Sequence, residues 1–352
     1  MIEGHAPDLA RLSDLVDLFP RQTILALCDF VADEFVFGEI SRVSREAPVL
    51  ILRHRETRMM PGGGANAVNN LADLGAKVLP VAAIGDDEAG GALLAYFRAK
   101  GVPTSGLVRV SGWQTPAKTR FLAGWPHTTH QQVLRMDREP GPSLPKQAAK
   151  TLIQKARQRL KGASAVLVSD YGYGSATPTA LQAVRGRGRW AAPVALDSRY
   201  RLQEFAGLGL TAATPNEAEL EAACHEQVAS DTQRLQQLAQ QMVARMGLGA
   251  LVVTRGRDGM MVFEKGAAPG SLAVFGSNQA LDVTGAGDTV IAVLTLALAA
   301  GATILEAAQL ANYAGGIVVM KRGTATVARA DLSAAIRAEA TGLPATADQS
   351  EK

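Results

Sequence analysis

Residues 23–28 read TILALC, and Asp29 follows at once. A short apolar run closed by an acidic side chain is the pattern of a buried strand whose carboxyl end faces a crevice. The pattern recurs outward from there: KVLPVAAI at 77–84, AVLVS at 165–169 before Asp170, PVAL at 193–196 before Asp197, TAAT at 211–214 before Pro215 and Asn216, and ALVVT at 250–254, which ends on Thr254. Helix-like patterns lie between most of these runs. Such alternation predicts an α/β fold, a mostly parallel sheet with helices on both faces. Ligands of open α/β sheets bind beyond the carboxyl ends of the strands, so these polar residues are expected to line one crevice. Acidic and polar groups on one rim suit a polyhydroxylated ligand, a cation, or both.

Two regions break the rhythm. Residues 34–60 and about 107–137 contain the alternating stretches APVLILRH, AKTRFLAG and QQVLRM, which predict an antiparallel flap, a natural lid. Residues 8–19 (DLARLSDLVDLF) have helical apolar spacing, so residues 1–20 read as an extension with a short packing helix before Pro20. Residues 21–340 then read as one domain and 341–352 as a disordered tail.

With 47% hydrophobic residues in 352, a large core is possible, and 36 basic against 33 acidic residues leave no long basic block that would favour nucleic acid. Cys28 and Cys224 lack metal-ligand spacing and no charged-then-apolar leader is read, so a reducing cytoplasm is the expected setting. The run VIAVLTLALAAGATIL at 290–305 imitates a membrane span. It is short for a bilayer and contains Gly301, so a buried core helix is expected and no membrane partner.

That helix starts from LDVTGAGDTV, residues 281–290. Gly285 and Gly287 permit a tight turn in which the N–H groups of Gly285, Ala286 and Gly287 converge at a helix N-terminus, an anion hole. Asp288 beside it suits a base that takes a proton from an attacking hydroxyl while the amides stabilise a transferring phosphoryl group. The bland alternative is a turn with a carboxylate complementing the helix dipole.

A second glycine-rich stretch, PGGGANAVNNLADLG at 61–75, suits close backbone approach to a sugar, with Asn66 hydrogen-bonding it. Gly62, Gly64 and Ala67 also match dinucleotide-fingerprint spacing, but the charged RHRETRMMP before them is no buried strand. A Walker-type phosphate loop is missing from the sequence. Asn216 and Glu219, three apart at a helix start, fit either water-mediated magnesium or a capping box. Gly256 and Gly259 in TRGRDG fit a hairpin, beside a nucleotide or plain. His127 and His130 in HTTH fit a solvated loop better than a metal site.

With these parts in order, the chain resembles the ribokinase-like (PfkB) carbohydrate kinases over about residues 21–335. Within them it is similar to the heptose 7-phosphate kinases of ADP-heptose synthesis, in GEISRVSREAPVLIL, PAKTRFL, HQQVLRMDRE and VLVSDYGYG. The resemblance implies a three-layer fold with a β lid, and an ATP-dependent kinase acting on the anomeric hydroxyl of a phosphorylated heptose. It further implies a stand-alone version without the nucleotidyltransferase domain to which many such kinases are fused. Asp288 would be the base over the Gly285, Ala286 and Gly287 amides. Asp29, Asp33, Gly62, Gly63, Asn66 and Asp170 would bind the sugar, and Lys118, Arg120 and Arg135 its phosphate. Asp197, Asn216, Thr254, Gly256, Gly259 and Asn312 would line the nucleotide pocket. Mg2+ would be held through water by Asn216 and Glu219, and K+ by Asp282 and Thr284. A homodimer through the lid is also expected.

The sequence departs from that pattern where Cys28 precedes Asp29, where Tyr173 replaces an expected lysine, and where Asp197-Ser198-Arg199 replaces D-P-K. These changes bear on the acceptor. The rivals are a kinase for an unphosphorylated sugar or nucleoside, for which clustered cations are superfluous, and a silent sugar- or nucleotide-binding regulator, for which Asp288 is.

Overall fold

The computed structural model describes residues 8–125, 130–141, 143–186, 191–229, 231–276 and 280–341, so His127 and the tail after 341 lie outside the described residues. An eight-stranded sheet runs in the order Gly270–Leu272, Met260–Glu264, Ala250–Thr254, Ala212–Ala213, Val194–Ser198, Ala165–Asp170, Thr23–Cys28, Lys77–Val81. The strands from Ala250–Thr254 to Lys77–Val81 pair in parallel, and the last two at the other edge are antiparallel. Along Thr23–Cys28 alternate side chains enter opposite cores. Ile24, Ala26 and Cys28 pack toward the helices Gly64–Asp73 and Ala286–Ala299, while Leu25 and Leu27 pack toward Lys146–Leu160 and Pro178–Arg185. The apolar run at 23–28 thus becomes a two-faced strand.

The run at 77–84 splits. Lys77–Val81 is an edge strand of the main sheet, where Pro80 is tolerated, whereas Ala83–Gly85 pairs with Val108–Val110 in a separate two-stranded sheet. The lid is a second sheet, ordered Leu50–Gly63, Phe30–Val43, Ala117–Gly124, Gln131–Arg138. It is mixed and not wholly antiparallel as expected: two antiparallel pairs are joined through parallel pairing of Phe30–Val43 with Ala117–Gly124. The parallel join follows from the path of the chain, which passes through the helix Gly64–Asp73 and the main-sheet edge before returning. Residues 107–116 contribute Val108–Val110 elsewhere, so the second lid segment starts at Ala117.

The N-terminal helix Leu9–Asp17 buries Leu12, Leu15 and Val16 in the main core and packs on Arg329–Thr341. The apolar run after Asp288 is the buried helix Ala286–Ala299, and no helix among the described residues is long and apolar enough to cross a membrane.

Candidate active site

The order of the parallel strands reverses between Thr23–Cys28 and Ala165–Asp170, the switch point at which open α/β sheets bind ligands. Asp29 and Asp170 stand there, yet both carboxylates are committed to the protein itself. Asp29 accepts the N–H groups of Tyr171 (3.0 Å), Tyr173 (2.9 Å), Ser175 (2.7 Å) and Ala176 (3.4 Å), so it shapes the turn after the strand. Burial, and then Asp170, push its pKa up, against those amides. Asp170 is buried and held by both sides of the Arg201 guanidinium, by Ser198 Oγ at 2.7 Å and by Gly172 N at 3.0 Å.

The turn that Asp29 shapes delivers Tyr171, whose hydroxyl donates to Asp288 Oδ1 at 2.8 Å. Asn66 Nδ2 donates to Asp288 Oδ2 at 3.2 Å and to the Gly285 carbonyl at 3.3 Å, so it orients the carboxylate. Burial pushes the Asp288 carboxyl up to about 7, against the lowering effect of those two hydrogen bonds. A carboxyl poised near neutrality is suited to general-base work.

Gly285 caps the helix Ala286–Ala299 with φ of 79°, a conformation that favours glycine, and a Cβ there would lie 2.5 Å from Asn66 Nδ2. Of the three predicted anion-hole amides, that of Ala286 donates to the Val283 carbonyl at 3.2 Å, which corrects the expectation. The N–H groups of Gly285 and Gly287 have no acceptor among the described residues and remain for an anion at the helix N-terminus.

The other glycine stretch closes on the protein. A Cβ on Gly62 would lie 2.5 Å from the Asp33 carboxylate, and one on Gly64 2.5 Å from Cys28 Cβ; Gly63, with φ of 52°, packs on Val31 and Tyr171. Asp33 is buried and held by Arg120 Nη1 at 2.8 Å and Thr324 Oγ1 at 2.9 Å. Arg135, predicted beside the acceptor phosphate, forms a two-point pair with Asp137 on its own strand. Lys118 differs: its ammonium lies 5.0 Å from the centroid of the Tyr171 ring and forms no ion pair among the described residues. Burial, ahead of the opposing field of Asp33, lowers its pKa.

On the other side Asn216 and Glu219 form the reciprocal capping box, Glu219 N to Asn216 Oδ1 at 2.8 Å and Asn216 N to Glu219 Oε2 at 3.0 Å. The capping alternative is therefore realised. Glu219 and Asp197 nevertheless face each other electrostatically, and both are raised, chiefly by burial, with Arg199 opposing. Two carboxylates pushed up in this way fit a divalent cation that keeps its waters and phosphate ligands. Among the described residues no three acidic, His or Cys side chains gather as a metal cage. Asp282 accepts Thr284 N and Gly323 N, each at 2.9 Å, and with Thr284 makes no cation cage by itself. Thr254 bridges to Asn216, while Gly256 and Gly259 turn the antiparallel hairpin between Ala250–Thr254 and Met260–Glu264. Asn312 donates to the Ala273 carbonyl at 2.7 Å and ties down the strand edge there. His130 stacks edge-on to Phe37 in the lid.

Tyr171, Thr324 and Arg199 were missed as site residues. Tyr171 carried a signal, since it follows directly on an acidic strand end. Arg199 stood only as a departure from a family pattern, and nothing around Thr324 marked it.

A buried carboxyl at a helix N-terminus with two open amides, set at the switch point of a lidded α/β sheet, is the arrangement expected of a carbohydrate kinase. The chain matches the profile of the pfkB family carbohydrate kinases over residues 32–331 and belongs to that family. It is 38% identical over 332 residues to the bifunctional protein HldE of Trichlorobacter lovleyi, covering 92% of this chain and 65% of that protein. To the HldE of Desulfatibacillum aliphaticivorans it is 36% identical over 329 residues, covering 92% and 64%. The chain thus spans just under two thirds of the length of these relatives. Among solved structures, its fold is similar to Escherichia coli phosphofructokinase-2 in complex with potassium (TM-score 0.73, 18% identity, 90% of this chain and 98% of that one). The Arabidopsis thaliana ribokinase complexed with ribose and ATP gives a TM-score of 0.71 at 20% identity, again covering 90% and 98%.

Proposed function

We propose that this kinase transfers the γ-phosphoryl group of ATP to a hydroxyl of a sugar that already carries a phosphate, with the anomeric hydroxyl of heptose 7-phosphate as the acceptor. The observation that carries this reading is the pair Lys118 and Arg199. Neither forms an ion pair among the described residues, and both lie in the field of the Asp288 pocket, Lys118 toward Asp33 and Asp288, Arg199 toward Asp197 and Tyr171. Unmatched cations at a pocket suit an anionic substrate. The likeness to HldE over 92% of the chain supports the same acceptor class. The pairing of Arg120 with Asp33 and of Arg135 with Asp137 supports the second reading, an unphosphorylated sugar.

In the proposed reaction, the acceptor hydroxyl gives its proton to Asp288 as its oxygen bonds to the γ-phosphorus, and the bond to the departing ADP breaks in line. The N–H groups of Gly285 and Gly287 stabilise the charge on the transferring group. Glu219 and Asp197 would hold Mg2+, directly or through water, and the ion supplies neutralisation of the nucleotide phosphates. The lid would pair two copies through its outer apolar residues. Comparing kcat/KM for heptose 7-phosphate, unphosphorylated heptose, ribose and fructose tests the acceptor. Preference for a neutral sugar would overturn the phosphate and leave the kinase.

A further inference from the structure

One aromatic side chain touches both the base and the unmatched cation. Tyr171 donates its hydroxyl to Asp288 Oδ1 at 2.8 Å while its ring carries the Lys118 ammonium at 5.0 Å from the centroid. The ring is also packed against Gly63, where a Cβ would lie 3.2 Å from it. Its backbone is fixed by the bond from Tyr171 N to Asp29 Oδ2 at 3.0 Å, part of the set of amides that gather on that carboxylate.

We infer that Tyr171 is a positioning residue with two tasks: its hydroxyl holds the Asp288 carboxylate in place, and its ring separates that carboxylate from Lys118. The second task matters because a lysine in direct contact with a buried carboxylate favours the ionised form strongly and removes its basicity. A cation resting on a ring face is held nearby without being paired. Asn66 completes the cradle by holding Oδ2 at 3.2 Å. The charged and titratable groups facing Asp288 are Tyr171 and Lys118 on one side, Asp33 from the lid, Asp197 from the neighbouring strand and Cys28 from beneath. Two cations stand near, Arg199 toward Asp197 and Tyr171, and Lys118 toward Asp288 itself, so separation from Lys118 bears directly on the proton affinity of the base.

This inference rests on Asp288 being the base, and its deciding readout, a titration, needs neither acceptor nor turnover. The carboxyl stretch of Asp288 is followed by infrared spectroscopy across the acid and neutral range, as the difference between each protein and the same protein carrying Asp288→Asn. Tyr171→Phe keeps the ring and loses the donor, so Asp288 is expected to protonate at higher pH than in the wild type, with turnover about tenfold lower. Tyr171→Ala removes the spacer as well, so Lys118 reaches Asp288 and the titration moves to lower pH. Adding Lys118→Met to Tyr171→Ala returns it upward. A tyrosine that only fills space would shift neither titration. An unchanged titration in Tyr171→Phe, which preserves the ring volume and the fold, overturns the hydroxyl's role. Shifts of the same sign in the Phe and Ala variants overturn the spacer. Should the Ala variant not fold, Tyr171→Leu, whose side chain has no ring face for the cation, replaces it. Full turnover in Asp288→Asn would instead sink the base assignment and leave the titrations as they stand.

Discussion

The Arg120 guanidinium donates to Asp33 at 2.8 Å across neighbouring lid strands, in a pair whose side chains are only 11% and 5% exposed. Arg120 is thereby matched within the chain, and Thr324 takes the other Asp33 oxygen. Removing one partner strands the other charge in a buried site, so Arg120→Ala should lower stability by about 3 kcal/mol or more. Arg120→Met combined with Asp33→Asn should recover most of that loss. Chemical denaturation of the two single variants and the double variant is the check. A stable Arg120→Ala protein whose only defect is a raised acceptor KM would return Arg120 to the phosphate.

Asp288 is raised to about 7, with burial as the leading cause. Only the ionised carboxylate accepts a proton, so kcat/KM should rise with pH through about 7. Stability runs the other way. A carboxyl whose folded pKa is raised stabilises the fold at low pH and loses that contribution as pH rises through the folded value. Asp288→Asn should therefore cost about a hundredfold or more in turnover, spare the KM for ATP, and be stabilised relative to wild type above neutrality. Paired pH profiles of activity and of melting temperature test both signs together. A wild type that outlasts the variant above neutrality would contradict the buried, raised carboxyl.

Glu219 serves two ends, and substitution separates them. Its side chain caps the helix Glu217–Cys224 through Asn216 N at 3.0 Å, a bond that glutamine also makes. Glu219→Gln should keep the fold's stability and relieve the crowding with Asp197, while raising the Mg2+ needed for half-maximal rate. Glu219→Ala should do the same to Mg2+ and also cost about 1 kcal/mol. An unchanged Mg2+ requirement in both would leave Glu219 a cap alone.

The strand pattern of the main sheet was legible because two-faced burial demands continuous apolar runs, and the place of Asp288 at a helix N-terminus was legible because a glycine-rich turn runs straight into an apolar helix. The partners of the acidic residues were not. Asp29 and Asp170 read as ligand-facing from their strand ends and Asp33 from the family resemblance, and all three are bonded within the chain, to the amides of 171–176, to Arg201, and to Arg120 with Thr324. Such commitments join segments up to 291 residues apart, beyond the reach of local patterns. The lid's parallel join escaped notice for a related reason: alternation marks a strand but carries no direction.

Gln131–Arg138 lies at the free edge of the lid sheet and exposes Val133, Leu134 and Met136 at 45, 58 and 48%. Apolar side chains on an uncovered edge strand favour association with another strand. Two copies meeting here would bury them. Leu134→Asp with Met136→Asp should convert a dimer to monomers in sedimentation experiments while leaving the fold intact by circular dichroism. A monomeric wild type would remove the lid from the assembly.

The last prediction concerns which cations hold the acceptor phosphate. Arg120 and Arg135 are matched by Asp33 and Asp137, whereas Lys118 rests on Tyr171 and Arg199 lies 5.4 Å from the Tyr200 ring, neither with an ion-pair partner among the described residues. A phosphate accepts charge-assisted bonds worth about 1.5 to 3 kcal/mol each, so Lys118→Ala or Arg199→Ala should weaken acceptor binding by roughly ten- to a hundredfold. For Lys118 the effect should fall on the acceptor KM and spare that of ATP. For Arg199, which also faces Asp197 and Glu219, both substrates should be affected. Burial already lowers the Lys118 pKa, so a bound phosphate should draw a proton onto the amine, and acceptor affinity should fall as pH rises through the lowered value. Kinetics of wild type and both variants with heptose 7-phosphate and unphosphorylated heptose, across pH, decide the matter. If neither substitution separates the phosphorylated sugar from the neutral one, the phosphate is held elsewhere or is absent from the substrate.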